Sequence, residues 1–207
     1  MPPEILQFAL PPLAYLFGSV SSAVITCRAL ALPDPRAHGS RNPGATNVLR
    51  TGGAKAKKAA AITLAGDWLK GLLPVLLARA LGAESAVVAL CGFGAFLGHL
   101  YPLWFGFRGG KGVAVAAGAF VAISPALAAL LLAAWLAAAF VTRYSSVASL
   151  SAATLAPWLA LRISPEFFYM SLAMAALMFW RHRGNLRRLA AGEEGKIRLR
   201  SQSGEKS

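Results

Sequence analysis

From its N-terminus the chain alternates long apolar runs with short polar breaks, and the runs are too continuous for half-exposed surface helices. The pattern predicts helical spans at Ile5 to about Ala31, Ala59–Leu81, Ser85–Leu100, Val113–Ile123, Ala126–Val141, Val147–Leu161 and Phe167–Trp180. Pro11, Pro12 and Gly18 are expected to interrupt the first span. Ser19, Ser21, Ser22 and Thr26 near its end suit a face turned toward other helices. The fourth to sixth pieces fall short of the roughly 20 residues a span prefers, so they are expected to thin the bilayer locally or to run from a lowered cytoplasmic surface. Lys and Arg gather in the breaks at 32–58, 101–112 and 143–146 and in the tail from Arg181, whereas the other connections keep only Arg79 and Arg162. The positive-inside bias puts those loops and the C-terminus in the cytoplasm. Alternation then requires seven transmembrane helices with the N-terminus outside. One bent helix over 113–141 would leave six crossings and carry the basic tail outside, so parity disfavours it.

Composition sharpens this reading. Apolar residues make up 57% of the chain and charged residues 14%, with mean hydropathy +0.56, which excludes a soluble domain. The expected fold class is an all-α polytopic integral membrane protein, one domain over residues 1–207, with 192–207 a flexible basic cytoplasmic tail. A net charge of +13 would suit nucleic acid, but the cations lie between apolar spans and no nucleic-acid-binding signature accompanies them. The lipid bilayer with its anionic headgroups, and small phosphorylated molecules, fit better. Cys27 and Cys91 sit in or beside apolar runs and read as packed thiols. The first run has no convincing cleavage site after it and reads as a retained helix.

Four polar breaks carry candidate chemistry. Gly39–Arg50, GSRNPGATNVLR, combines Ser40, Asn42, Thr46 and Asn47 with Gly39, Gly44, Arg41 and Arg50, and contains no acid. Its glycines let backbone N–H groups converge on an anion, and Pro43 stiffens the turn. The run from Ala45 reads as the start of a short helix. Composition alone would equally allow a cationic loop that only sets topology. The second, GHLYPLWFGFRGGKG at Gly98–Gly112, joins His99, Arg108 and Lys111 to glycines 109, 110 and 112. Phe105 and Gly112 occupy the positions where a Walker A loop needs glycine and a hydroxyl residue, which excludes that motif. Its aromatic residues suit an interfacial belt or the mouth of a lipid-tail groove. The third is Arg143-Tyr144-Ser145-Ser146, whose serines alone would be ordinary helix caps. The fourth, HRGNLRRL at His182–Leu189, places His182 and Asn185 on one face of a helix, though it would also serve as an anchor for headgroups. Asp67 and Lys70, three apart inside a span, are either functional or a structural pair. Without carboxylates in these breaks, a magnesium–nucleotide site lacks ligands. What is left is a cationic pocket for one or two phosphates, beside a lipid tail.

The segments GSRNPGATN, GHLYPLWFGFRGGKGV, RYSSVAS and HRGNLRRLAAGEE, in this order and over nearly the whole chain, resemble the signatures of the bacterial acyl-phosphate:glycerol-3-phosphate acyltransferase (PlsY) family. The resemblance implies a seven-helix enzyme of the bacterial inner membrane that acylates glycerol 3-phosphate on the cytoplasmic side. Its products would be 1-acyl-glycerol 3-phosphate and inorganic phosphate. It implies acyl phosphate as donor, no cofactor and no metal. It also implies no HxxxxD motif, and none of His38, His99 and His182 has an Asp five residues later. Carried onto matching positions, Ser40, Thr46 and Asn47 would cradle the donor phosphate. Arg50, Lys111, Ser145 or Ser146, His182 and Asn185 would hold glycerol 3-phosphate, with Arg108 a supporting cation. Asn42, Gly44 and Gly110 complete the expected binding set. Substrate phosphate would take the hydroxyl proton, with His99 or His182 as the alternative base. The enzyme that makes acyl phosphate and the next acyltransferase are candidate partners. A carrier or flippase for an organic phosphate is the rival reading, resting on Asp67 and Lys70, and a headgroup-binding scaffold is a weaker third.

Overall fold

A computed structural model describes the backbone of residues 3–197, with side chains from residue 7 onward. Among these residues the regular structure is helical throughout: α1 Pro3–Gly18, α2 Ser22–Ala29, α3 Ala45–Thr51, α4 Ala56–Ala80, α5 Ser85–Leu100, α6 Val113–Ile123, α7 Pro125–Thr142, α8 Ser145–Ile163 and α9 Phe168–Ala190. Five stretches are long and apolar enough to cross a membrane: Gln7–Ala29, Gly53–Ala80, Ser85–Phe105, Pro125–Thr142 and Ser145–Ile163. Val113–Ile123 is a shorter apolar helix.

The first predicted span breaks at Gly18, one of the two places expected, and not at the prolines. Pro11 and Pro12 lie inside α1, and the helix stops at Gly18. Ser21 then caps α2, accepting a hydrogen bond from the Val24 amide. The carbonyl freed at Val20 is met by the Lys70 ammonium, 2.8 Å away, which removes the cost of an unpaired acceptor at membrane depth. Ser124 does what its position before proline predicts, ending α6 and capping α7 through its hydroxyl. Arg79 is bound at the end of α6, donating to the carbonyls of Ala122 and Ile123.

Glycine governs how the spans pack. A methyl group on Gly71 of α4 would run into the Val115 carbonyl of α6, and one on Gly118 of α6 into the Trp68 carbonyl of α4. Gly98 of α5 meets the Tyr15 carbonyl of α1 in the same way. Without side chains between them the backbones close together, the arrangement that dispersion favours where water does not drive association. The core holds Phe96, Leu100, Val115, Leu127 and Met174, while α7 exposes Leu132, Leu136 and Phe140 as a lipid-facing helix would. Cys27 and Cys91 are both free and buried, as their apolar surroundings suggest.

Residues 192–197, expected to hang free, fold back instead. The Ile197 amide donates to the Arg143 carbonyl at 2.7 Å, and Arg50 Nη2 reaches the Gly195 carbonyl at 3.0 Å. Glu194 is buried. The rest of the predicted tail, 198–207, lies outside the described residues.

Candidate active site

Four segments far apart in sequence meet at one end of the bundle. Lys111 follows the glycine turn between α5 and α6, and its Nζ donates to Asn185 Oδ1 on α9 at 2.5 Å. Asn185 turns its Nδ2 to Glu194 Oε1 at 2.6 Å. The same oxygen accepts from Ser146 Oγ at the start of α8, 2.9 Å away, and Arg188 Nε donates to Oε2 at 2.9 Å. Arg50, at the end of α3, closes the group by holding the Gly195 carbonyl. His182 lies one turn before Asn185 and is buried, with Nδ1 2.8 Å from the Met178 carbonyl. A carbonyl can only accept, so Nδ1 carries the proton and Nε2 keeps the lone pair.

The electrostatics follow from this crowding. Burial, with Arg188, Arg181 and Arg50 nearby, pushes the Lys111 ammonium down to about 8, against the pull of Glu194. Burial pushes the Glu194 carboxyl up, but hydrogen bonds from Asn185 and Ser146 and the Arg188 charge outweigh it and hold the group below its ordinary value. Cations thus outnumber the one carboxylate, leaving an excess of positive charge suited to an anion.

The first motif adjoins this group. Pro43 lines a narrow cleft with Gly109 and Gly110 of the second motif and with Lys70 and His99. Arg36 is occupied by Asp34 through Nε and Nη2 and lies over the Phe105 ring, 5.8 Å from its centre. Gly39 and Arg41 take left-handed φ values, +61° and 57°, turning the chain sharply between His38 and Pro43. α3 begins at Ala45, as the sequence suggests. Ser40, Thr46 and Arg108 are exposed, and Asn42, Gly44 and Ser145 partly so.

Two sequence-based expectations need correction. Asn47, expected to touch donor phosphate, is buried with its amide already engaged. Its Oδ1 accepts from the Ser40 amide at 2.9 Å, and Nδ2 donates to the carbonyls of Pro35 and His38. It shapes the loop from within. The cup is also not free of acid: Glu194 sits at its centre. That carboxylate and Arg188 and Arg181, both in the last basic run, were missed as site residues. The available signal was an acidic pair, Glu193-Glu194, closing a run of arginines. Of the two serines, Ser146 is the one turned into the cup. Asp67, Lys70 and His99 bond one another inside the bundle, apart from Lys111's partners. Gly110 lies against the His99 ring, with no room for a side chain.

The fold and site define an all-helical membrane protein with a cationic cup fed by four polar segments. The family model described as glycerol-3-phosphate acyltransferase matches residues 8–192. A protein of that name from Thioalkalivibrio sulfidiphilus (strain HL-EbGR7) is 53% identical over 195 residues, covering 93% of this chain and 95% of its own. Another, from Methylococcus capsulatus (strain ATCC 33009 / NCIMB 11132 / Bath), is 49% identical, covering 93% and 96%. The backbone is similar to the crystal structure of PlsY (YgiH), an integral membrane glycerol 3-phosphate acyltransferase, in its glycerol 3-phosphate form. That likeness has TM-score 0.86 and 37% identity, over 93% of this chain and 96% of that one. The chain belongs to the glycerol-3-phosphate acyltransferase family.

Proposed function

We propose that the protein transfers an acyl group from acyl phosphate to glycerol 3-phosphate, releasing lysophosphatidate and inorganic phosphate at the cytoplasmic face of the bacterial inner membrane. One observation carries this reading: Arg50, Lys111, Ser146, His182 and Asn185, from four distant segments, converge beside the first-motif loop. The five long apolar stretches, with α6 and the apolar start of α9, would make seven crossings. The clustering of Lys and Arg at the cup supports a cytoplasmic opening and an external N-terminus. Residues 1–207 then act as one catalytic domain.

Lys111 and Arg50 hold the acceptor phosphate, with Ser146 and Asn185 orienting it. The exposed Ser40 and Thr46, with Gly44 and Asn42, hold the donor phosphate, and Arg108 adds charge at the rim. Asn47 keeps that loop in shape. The donor is a mixed anhydride, already activated, so alignment and charge compensation are the main tasks. The acceptor oxygen bonds to the acyl carbon as the bond from that carbon to the phosphate oxygen breaks. The hydroxyl proton leaves with the phosphate. His182 Nε2 accepts a hydrogen bond from the neighbouring, non-reacting hydroxyl of glycerol 3-phosphate and so aims the reacting one, whereas His99, packed against Gly110 and Lys70, is not the base. Asp67 and Lys70 form an ion pair inside the bundle, and Lys70 also meets the carbonyl freed at the α1–α2 break, a structural use that weakens the carrier reading that rested on them. The enzymes that supply acyl phosphate and consume lysophosphatidate are candidate partners, because both molecules reside in the membrane.

The test is a two-substrate assay on protein in lipid discs with EDTA present. Acyl phosphate plus glycerol 3-phosphate should give lysophosphatidate and phosphate in equal amounts. A requirement for acyl-CoA would overturn the donor assignment, and flux of glycerol 3-phosphate without turnover would restore the carrier.

A further inference from the structure

We infer that Arg181, together with the buried Asp67–Lys70–His99 cluster, acts as a two-sided clamp on the glycine turn before Lys111 and so sets where that ammonium meets the acceptor phosphate. The inference rests on the reading that Lys111 holds glycerol 3-phosphate.

The turn at Gly109-Gly110 has no side chains of its own to fix it. It is held by its backbone alone. From α9, Arg181 donates through Nε to the Gly110 carbonyl at 3.0 Å and through Nη2 to the Gly109 carbonyl at 2.6 Å. Its guanidinium also stacks over Tyr101, 5.5 Å from the ring centre. From α5, the His99 carbonyl accepts from the Gly110 amide at 3.0 Å, and the His99 ring presses on Gly110 where a methyl would stand. The next residue is Lys111. A planar fork on one side and a ring on the other leave the turn one position.

The His99 ring is itself held. Lys70 Nζ lies 3.2 Å from its Nδ1, 2.7 Å from Asp67 Oδ1 and 2.8 Å from the Val20 carbonyl. Asp67 Oδ1 is 3.5 Å from the same His99 nitrogen. Asp67 and Lys70 are each 3% exposed. Burying two charges inside a span carries a desolvation cost that well-packed apolar residues would avoid. An apolar pair, though, would supply no directed bond to the ring. The cluster therefore ties the α1–α2 break, α4 and the end of α5 to the turn, and Arg181 ties it to α9. His182 and Asn185 follow Arg181 on the same helix, so the clamp also fixes the distance between Lys111 and its partner Asn185.

Arg181→Gln, Arg181→Lys and Lys70→Met are compared with wild type in lipid discs, with Arg79→Gln as control. Arg79 also binds two backbone carbonyls, but at the end of α6. Wild type is measured first. If it makes no lysophosphatidate from acyl phosphate, the functional reading fails before the clamp is addressed. With wild type active, Arg181→Gln should raise KM for glycerol 3-phosphate about 10–100-fold, the scale of an ångström-sized misplacement, while KM for acyl phosphate stays put. Arg181→Lys, keeping one carbonyl bond, should recover part of the loss, and Lys70→Met should shift the same KM. Arg79→Gln should lower thermal stability with both KM values unchanged. Should Arg181→Gln fail to accumulate, Arg181→Lys and equilibrium binding of glycerol 3-phosphate give the same reading. Equal loss for both substrates, a matching KM shift in Arg79→Gln, or no acceptor effect in folded Arg181 variants would overturn the clamp.

Discussion

Glu194→Ala removes the one acceptor shared by Ser146 Oγ at 2.9 Å, Asn185 Nδ2 at 2.6 Å and Arg188 Nε at 2.9 Å. The first two donors are buried, and a hydrogen bond to a charged acceptor contributes about 1.5–3 kcal/mol, so leaving both unpaired costs about 3–6 kcal/mol. Arg188 adds little, about 0–1 kcal/mol, because its side chain is 39% exposed and water screens the pair. Part of this loss falls on the fold and part on the site, since Asn185 also anchors Lys111. If about half falls on alignment, about 1.5–3 kcal/mol, kcat/KM for glycerol 3-phosphate drops by about 10- to 100-fold. Glu194→Gln keeps an acceptor oxygen in place and should lose less than Glu194→Ala does. Initial rates are measured in lipid discs at saturating acyl phosphate with glycerol 3-phosphate varied, alongside thermal unfolding of the same samples. A folded Glu194→Ala protein with wild-type kcat/KM would refute the reasoning, because Ser146 and Asn185 would then hold their places without the carboxylate.

Lys111, held at about 8, should be about nine-tenths charged at pH 7 and about one-tenth at pH 9, so KM for glycerol 3-phosphate should climb through that window. Unfolding is not the cause: between pH 8 and 10.5 the unfolded chain binds the extra proton, so this residue makes the fold more stable as pH rises. A flat KM from pH 7 to 9 would remove Lys111 from the phosphate site. Asn47→Ala breaks three bonds in a residue 1% exposed, and should cut turnover at least tenfold through disorder of the Ser40 loop, read as faster proteolysis there; an intact rate counts against the brace. Gly71→Ala and Gly118→Ala should each lower stability by about 1–3 kcal/mol or prevent accumulation, by forcing α4 and α6 apart; an unchanged melting temperature would contradict the close packing.

The sequence by itself determined most of the helices, their order and the cations, amides and hydroxyls that the cup draws on. Apolar runs must become helices where lipid offers no hydrogen bonds, so α4, α5, α6 and α7 fall close to where the hydropathy pattern puts them. Arginine, lysine, amide and hydroxyl groups crowded into breaks on one side already called for an anion. Tertiary structure alone decided which of those groups are free to act. Asn47 and His99 look like ligands in sequence, yet packing turns one inward to brace a loop and the other against Gly110. Glu194 looks like part of a loose end, yet it becomes the centre of the cup because α9 returns it to Ser146. Hydropathy and charge are local quantities that a chain carries in its order of residues. Whether a polar atom meets substrate or its own protein depends on contacts across 48 residues, as between Ser146 and Glu194, and only the packed helices supply them.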